Sequence, residues 1–284
     1  MRLDGKRVIV TGASSGIGRS LAASLAKRGA VLTLAARDRA RLDAVVGEIS
    51  EAYPESRATV AAPCDVSNEL DVRNLIGGVV ERTGGVDALV NNAAISVFGE
   101  ERRTSVQDYR GLMSVNFFGA LFAMREVLPF MRRQESGLIV NVASVAALHG
   151  VPYLAAYCAS KAALVAVSQS LRAELAGTGI RIMIVYPGYT ATEIYEREKK
   201  AGGARRPTGR YASAESVAEA IARGIERGTR DLFLTWQGRA LGVLRGLAPF
   251  VVERAMRDIA RDLADPGARA SADPPVPGTG GGVP

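Results

Sequence analysis

Residues 6–27 constrain the fold of this chain more than any other stretch. Lys6-Arg7-Val8-Ile9-Val10 is a short basic-then-apolar run that reads as a buried strand. Thr11-Gly12-Ala13-Ser14-Ser15-Gly16-Ile17-Gly18 follows, and a helical pattern runs from Arg19 to Lys27. Glycine lets the backbone turn tightly and approach a ligand, and a helix N-terminus offers free N–H groups to an anion. A glycine pattern alone is an ordinary loop. Here the flanking elements have the order that diphosphate binding requires, so a dinucleotide is expected over Gly12, Ser14, Ser15, Gly16, Ile17 and Gly18.

The alternation begun there continues. Val31 to Ala36, Thr59 to Ala62, Ala88 to Asn91, Leu138 to Val142, Ile180 to Val185 and Leu232 to Leu234 are short apolar runs suited to buried parallel strands. Helical stretches lie between them, among them Arg39 to Ile49, Glu69 to Arg82, Val106 to Met131 and Leu154 to Leu175. The pattern predicts an α/β fold: a single doubly wound parallel sheet of Rossmann type, with helices on both faces and right-handed crossovers. Ligands of such sheets bind outside the carboxyl ends of the strands. Gly12, Asp65, Asn91, Ser144 and Pro187 each fall just after a strand and so collect on one edge.

Tyr157-Cys158-Ala159-Ser160-Lys161 adds chemistry. A tyrosine and a lysine four residues apart share one helix face. A free phenol titrates at about 10, and a nearby cation lowers that value. Ser144, upstream, offers a hydroxyl to hold a carbonyl oxygen. The set suits moving one proton to or from an oxygen while another group moves a hydride.

With these stations in order, residues 5–235 resemble the short-chain dehydrogenase/reductase family, in its roughly 250-residue form. Thr11 to Gly18 is similar to the family's cofactor loop, Asp65-Val66 to its adenine contact, and Asn91-Asn92-Ala93-Ala94 to its Asn-Asn-Ala-Gly segment, with Ala94 in place of the glycine. Asn116, Ser144, Tyr157 and Lys161 fall on its four catalytic positions. Pro187-Gly188, followed by Thr190 and Thr192, matches the segment that closes over the nicotinamide. The resemblance implies that Tyr157 is the general acid, Ser144 binds the substrate oxygen, and Lys161 tunes the phenol and holds the nicotinamide ribose. It implies too that Asn116 perturbs its helix and anchors a proton-relaying water. At the family's acidic, NAD-selecting position stands Ala36, with Arg37 next. Loss of the acid and a guanidinium able to pair with a phosphate point to NADP(H). Asp38 is read as the N-cap of the following helix. The family also packs the helix Leu154–Leu175 between subunits. That helix is apolar on nearly every side, so a homodimer or homotetramer is expected.

Val97, Phe98, Leu148, Val151, Tyr153, Tyr189, Ile194 and Tyr195 are candidates to line an apolar pocket. With Ser144, Tyr157 and Tyr189, the single histidine, His149, is a candidate substrate contact, though a structural role suits it as well. The segment Thr190 to Tyr211 reads as a lid. Its basic cluster (Arg197, Lys199, Lys200, Arg205, Arg206, Arg210) reads as a solvated loop, with an acidic carrier or anionic lipid as the alternative.

Hydrophobic content of 48% and charged content of 23% in 284 residues suit a soluble globular protein. Cys64 and Cys158 read as buried thiols of a reducing compartment, the cytoplasm, and no metal is expected. The net charge of +7 carries no interleaved aromatics, which argues against nucleic acid. There is no signal-peptide pattern, and no run approaches the ~18 apolar residues of a membrane span. Residues 1–235 are read as the dinucleotide-binding catalytic domain. Residues 236–264 form a helical extension divided at Pro249, which packs on a protein surface or meets lipid. Residues 265–284 are a disordered Gly/Pro-rich tail. The leading expectation is NADP-dependent interconversion of a carbonyl and a secondary alcohol on a hydrophobic, lipid-, steroid- or xenobiotic-like molecule. A 3-oxoacyl thioester reductase and a non-catalytic NADP-binding sensor or scaffold are the alternatives.

Overall fold

A computed structural model describes residues 1–54, 59–207 and 211–264. Arg210 of the basic cluster and the tail 265–284 lie outside the described residues. Seven strands form one parallel sheet: β1 (Arg7–Thr11), β2 (Val31–Ala36), β3 (Thr59–Pro63), β4 (Ala88–Asn91), β6 (Gly137–Val142), β7 (Ile180–Tyr186) and β11 (Asp231–Phe233). Their order is β3-β2-β1-β4-β6-β7-β11. The chain winds outward from β1 in both directions, so the crevice between the carboxyl ends of β1 and β4 is the topological switch point.

Helices α1 (Gly16–Ala26), α2 (Arg39–Ala52) and α7 (Ala214–Arg227) cover one face, burying Leu21, Leu25, Leu42, Val45, Ile221 and Ile225 against the strands. Helices α3 (Glu69–Thr83), α5 (Gly119–Arg133) and α6 (Ala155–Glu174) cover the other, with Leu75, Ile76, Met124, Val127 and Leu164 in its core. Each such side chain contributes about 1.5–3 kcal/mol on leaving water. Local signals set the helix ends. Asp38 accepts from the Arg41 amide at 3.1 Å to cap α2. Ser213 caps α7, and Gly228, at φ +73°, takes the left-handed turn that ends it.

Helix α4 (Val106–Met113) runs into α5 through a π turn, Ser114–Phe118. The joined run, Val106–Arg133, is long and apolar enough to cross a membrane by length and composition alone, though charged residues leave it no uninterrupted apolar run of about 18 residues. Here Ala123, Met124, Val127 and Met131 of α5 are buried, packed with α3 and the sheet.

Four short strands are absent from the sequence reading. β5 (Val97–Gly99) pairs with β9 (Lys199–Gly202), and β8 (Thr190–Ala191) with β10 (Ala212–Ser213). Together they fold the lid segment over the sheet edge. The chain ends in α8 (Trp236–Leu247) and α9 (Pro249–Leu263), with Pro249 at the first turn of the second helix.

Candidate active site

A cleft of about 950 Å³ opens along the carboxyl ends of the strands, at the top of the roughly 300–1,000 Å³ range of small-molecule sites. Its floor at one end is the glycine turn. Thr11 Oγ1 donates to the Val90 carbonyl at 3.2 Å and accepts from the Asn92 and Ala93 amides at 3.0 and 3.2 Å. Asn92 Nδ2 donates to the Thr11 and Gly12 carbonyls at 3.0 and 3.1 Å. The β1 and β4 ends are thus locked together. A Cβ on Gly12, at φ +65°, would fall 2.7 Å from the Ala93 Cα, and one on Gly16 would reach Thr192 at 3.0 Å. Ser15 stands at the N-cap of α1 without a side-chain cap, and no acid occupies the first helical turn. A backbone cradle in which side chains do not fit, beneath an uncapped helix terminus, suits a diphosphate.

Farther along, Ala36, Arg37 and Asp38 line one end of the cleft. Asp38 is occupied in capping α2. Burial works to raise the Asp65 carboxyl. Two hydrogen bonds from Ser67, at 2.7 and 3.0 Å, and the Arg37 charge outweigh it and hold the group below its ordinary value. Val66, Ala93, Pro187, Gly188, Thr190 and Thr192 continue the lining toward the other end.

There α6 brings Tyr157 and Lys161 to one wall, facing Ser144 at the end of β6. The Ser144 hydroxyl accepts from the Ala146 amide at 3.1 Å and shares a hydrogen bond with the Tyr157 phenol. Lys161 is buried. Its Nζ donates to the Val142 carbonyl at 2.8 Å and lies 5.9 Å from the Tyr157 ring centroid. Burial lowers the lysine to about 8. The phenol differs from the sequence expectation. Burial, then Tyr195, pushes it above its ordinary value; the Ser144 bond and the Arg206 charge pull the other way. The lysine ammonium is directed at a β6 carbonyl, and desolvation dominates the phenol. Asn116 sits inside the π turn, fully buried. Its Oδ1 accepts from the Ile95 amide at 2.8 Å, and its Nδ2 donates to the Ile95 carbonyl and to Ser160 Oγ, each at 3.0 Å. Ser160 Oγ in turn donates to the Tyr157 carbonyl at 2.8 Å. Asn116 therefore ties the loop after β4 to the turn of α6 that carries the phenol.

The family model for short chain dehydrogenases matches residues 6–202. The chain belongs to the short-chain dehydrogenase/reductase family. It is 34% identical over 269 residues to a dehydrogenase/reductase SDR family protein 7-like protein of Anopheles gambiae, covering 92% of this chain and 85% of that one. It is 33% identical over 225 residues to the 3-oxoacyl-(acyl-carrier-protein) reductase FabG of Thermotoga maritima, covering 78% and 90%. The solved structure of a short-chain dehydrogenase/reductase from Burkholderia phymatum in complex with NAD superposes with a TM-score of 0.79 at 28% identity, over 88% of this chain and 96% of that one.

Within this short-chain dehydrogenase/reductase, four of the candidate catalytic, cofactor and substrate residues do not line the cleft, nor do Val97, Phe98, Leu148 and Tyr153 of the expected apolar pocket. Gly18 packs behind the Gly12 carbonyl, where a Cβ would collide. Asn91 is buried in the sheet, donating to Asn141 Oδ1 at 2.8 Å on the neighbouring strand. Asn116 is the strut described above. His149 follows a short 3-10 turn, Val145–Ala147, that brings Val145 and Ala146 to the cleft and leaves the imidazole beyond it. Of the expected apolar pocket, Val151, Tyr189, Ile194 and Tyr195 reach the cleft. Phe98 and Tyr153 instead pack on each other, with centroids 6.0 Å apart. The lid is held by a buried ion pair that sequence did not reveal. Arg206 pairs with Glu198, which also accepts from Ser96, and the guanidinium stacks 4.2 Å from the Tyr195 centroid and 4.6 Å from that of Phe98. Leu241 of α8 and Met256, Ile259 and Leu263 of α9 complete the wall. No local pattern marks these four residues as site residues, because they reach the cleft only through long-range packing. Tyr153 Oη donates to the Ala260 carbonyl at 3.1 Å, and the Arg205 amide to that of Leu263 at 2.8 Å, fastening α9 across the opening.

Proposed function

We propose that this enzyme interconverts a carbonyl and a secondary alcohol on a hydrophobic substrate, using NADP(H). The observation that carries the reading is the meeting of Tyr157, Ser144 and Lys161 on one wall of the cleft whose floor is the glycine turn. Gly12 to Ile17 would hold the diphosphate, Asp65 and Val66 the adenine, and Lys161 with Pro187 to Thr192 the nicotinamide end. Bound NADPH supplies the hydride for reduction. Tyr157 gives its proton to the substrate oxygen, and Ser144 hydrogen-bonds that oxygen as its charge grows. Lys161, cationic near neutral pH, favours the phenolate left behind. Asn116 keeps the turn of α6 that carries Tyr157 in place. Selection of NADP(H) rests on Arg37 beside Ala36, with no free carboxylate from Asp38.

Ile194, Leu241, Met256, Ile259 and Leu263 give the cleft a large apolar share beside Arg197, Arg205, Arg206 and Asp262, and that share supports a lipid-like, steroid-like or xenobiotic ketone. A 3-oxoacyl thioester is the second reading, favoured by the Thermotoga maritima relative. Against carrier docking, much of the basic cluster is already paired: Arg197 with Glu193, Lys199 with Asp108 at 2.8 Å, and Arg206 with Glu198. Tyr157→Phe tests the chemistry. NADPH binding is expected to survive, while NADPH oxidation with a panel of carbonyls falls by roughly 10²–10⁴-fold; undiminished turnover would remove Tyr157 as the acid. Comparing free ketones with 3-oxoacyl thioesters separates the two readings, since a strong thioester preference defeats the first.

A further inference from the structure

The outer surface of α8 and α9 is unlike the rest of the molecule. Six of the ten exposed large hydrophobic side chains among the described residues lie between Trp236 and Val251, so this surface is a patch and not scattered exposure. Leu247 is 78% exposed, Trp236 76% and Phe250 71%, with Val243, Leu244 and Val251 between them. Leu244, Leu247, Phe250 and Val251 crowd the elbow where α8 ends and Pro249 starts α9, while Trp236 stands at the far end of α8. Val252, beside the elbow, is buried. From Trp236 to Val252 the chain holds Arg239 and Arg245 and no carboxylate; beyond it Arg254, Arg257 and Arg261 alternate with Glu253, Asp258 and Asp262. Side chains that gain by leaving water, with two arginines and no acid among them from Trp236 to Val252, complement an anionic lipid surface in both charge and polarity.

We infer that the α8–α9 elbow docks on the surface of an anionic lipid bilayer, seating Leu247, Phe250 and Trp236 at the boundary between headgroups and acyl chains. The opposite side of the same helices presents Leu241, Met256, Ile259 and Leu263 to the cleft. An apolar molecule leaving the bilayer therefore meets the active site along one helix pair. That consequence rests on the hydrophobic-substrate reading; the docking itself does not.

Trp236 is the sole tryptophan, so the intact chain reports its own docking. With vesicles of phosphatidylcholine and phosphatidylglycerol at low salt, its emission is expected to shift to the blue. Lipids brominated on the acyl chain should quench it, and the protein should float with the vesicles. Pure phosphatidylcholine or high salt should weaken all three signals. Leu247→Glu and Phe250→Glu, at exposed positions outside the cleft, should each cut flotation roughly tenfold or more, with unchanged melting temperature and NADPH affinity. Arg239→Glu should weaken flotation only on the anionic vesicles. Unshifted emission on anionic vesicles at low salt overturns the inference. So does a Phe250→Glu variant that still floats but sheds oligomer mass in light scattering, which would assign the patch to another protein chain. Absence of turnover with any ketone sinks the catalytic reading and leaves the emission result standing.

Discussion

Lys161 carries the sharpest residue-scale consequence. It is a buried cation whose environment lowers it to about 8. In the unfolded chain it titrates at its ordinary 10.5. Between those values the unfolded state binds more protons, so this residue makes stability rise with pH from about 8 to about 10.5. For activity the sign is opposite. Above about pH 8 the ammonium that favours the phenolate is lost, so kcat/KM for carbonyl reduction should fall on a limb centred there. A profile flat from roughly pH 6 to 10 would exclude Lys161 as a contributor. Arg37 gives a second test. Arg37→Asp should weaken NADPH binding by roughly 10–100-fold, the worth of a charge-assisted hydrogen bond, and improve NADH binding. Cofactor fluorescence titration checks both, and unchanged selectivity would place the discrimination elsewhere. The phenol, its lysine, the serine and the glycine cradle were legible in sequence because each is marked by short-range spacing. The direction of the phenol's shift was not, because it depends on how much protein surrounds the ring. Whether His149 reaches the cleft was illegible for a related reason: nearness to Ser144 in sequence does not say which way a 3-10 turn faces.

At the scale of elements, the five inner sheet strands were readable because a parallel strand buried on both faces leaves an uninterrupted apolar run, and the partly exposed edge strands β3 and β11 from their short apolar sequence and place in the alternation. β5, β8, β9 and β10 were not. They are two to four residues long, and their pairing is decided by where the lid lands. The π turn at 114–118 leaves no mark in the helical pattern, since one extra residue per turn hardly disturbs it; only the family resemblance pointed to a perturbed helix at Asn116. Helix–helix contacts that fasten the ends of the chain are similarly invisible in sequence. Between α1 and α7, Arg28 donates to Glu219 at 2.6 Å and pairs with Glu226 at 3.3 Å, while Ser24 donates to Glu219 at 2.9 Å. The Arg28 hydrogen bond lowers Glu219 from its ordinary 4.5 to about 2. A depressed carboxylate contributes stability above its unfolded value and loses it as pH falls from about 4.5 toward about 2. Glu219 is partly exposed, so the pair is screened and its worth is about 1 kcal/mol or less. Glu219→Gln should lower the melting temperature by roughly 2 °C at neutral pH and by nothing measurable near pH 2. An equal loss at both pH values would show that packing, not charge, is at stake.

At the scale of the whole molecule, α6 presents two faces. One buries Ser160, Lys161, Leu164, Val165 and Ser168. The other leaves Ala155, Ala159, Ala162 and Ala166 exposed at helical spacing. Phe118, 42% exposed, stacks on Phe122 along the adjoining α5 run. A helix apolar on every side is expected to be covered, and this one is half covered by its own chain. Alanine is small enough to let a second helix approach closely, and no charge stands in the row. We propose that a second copy of the chain covers it, packing α5 and α6 against their counterparts about a two-fold axis, where the same patch serves both partners. The face lies on the same helix as Tyr157 and Lys161, so its loss should reach the site through α6. Ala166→Arg places an unpaired charge at one end of the row without touching Lys161. Light scattering should move from a multiple of 29.9 kDa to the single-chain mass, and KM should rise with little change in the folded fraction. A wild-type chain that scatters as one 29.9 kDa particle at every concentration would leave this face to water and the proposal without support.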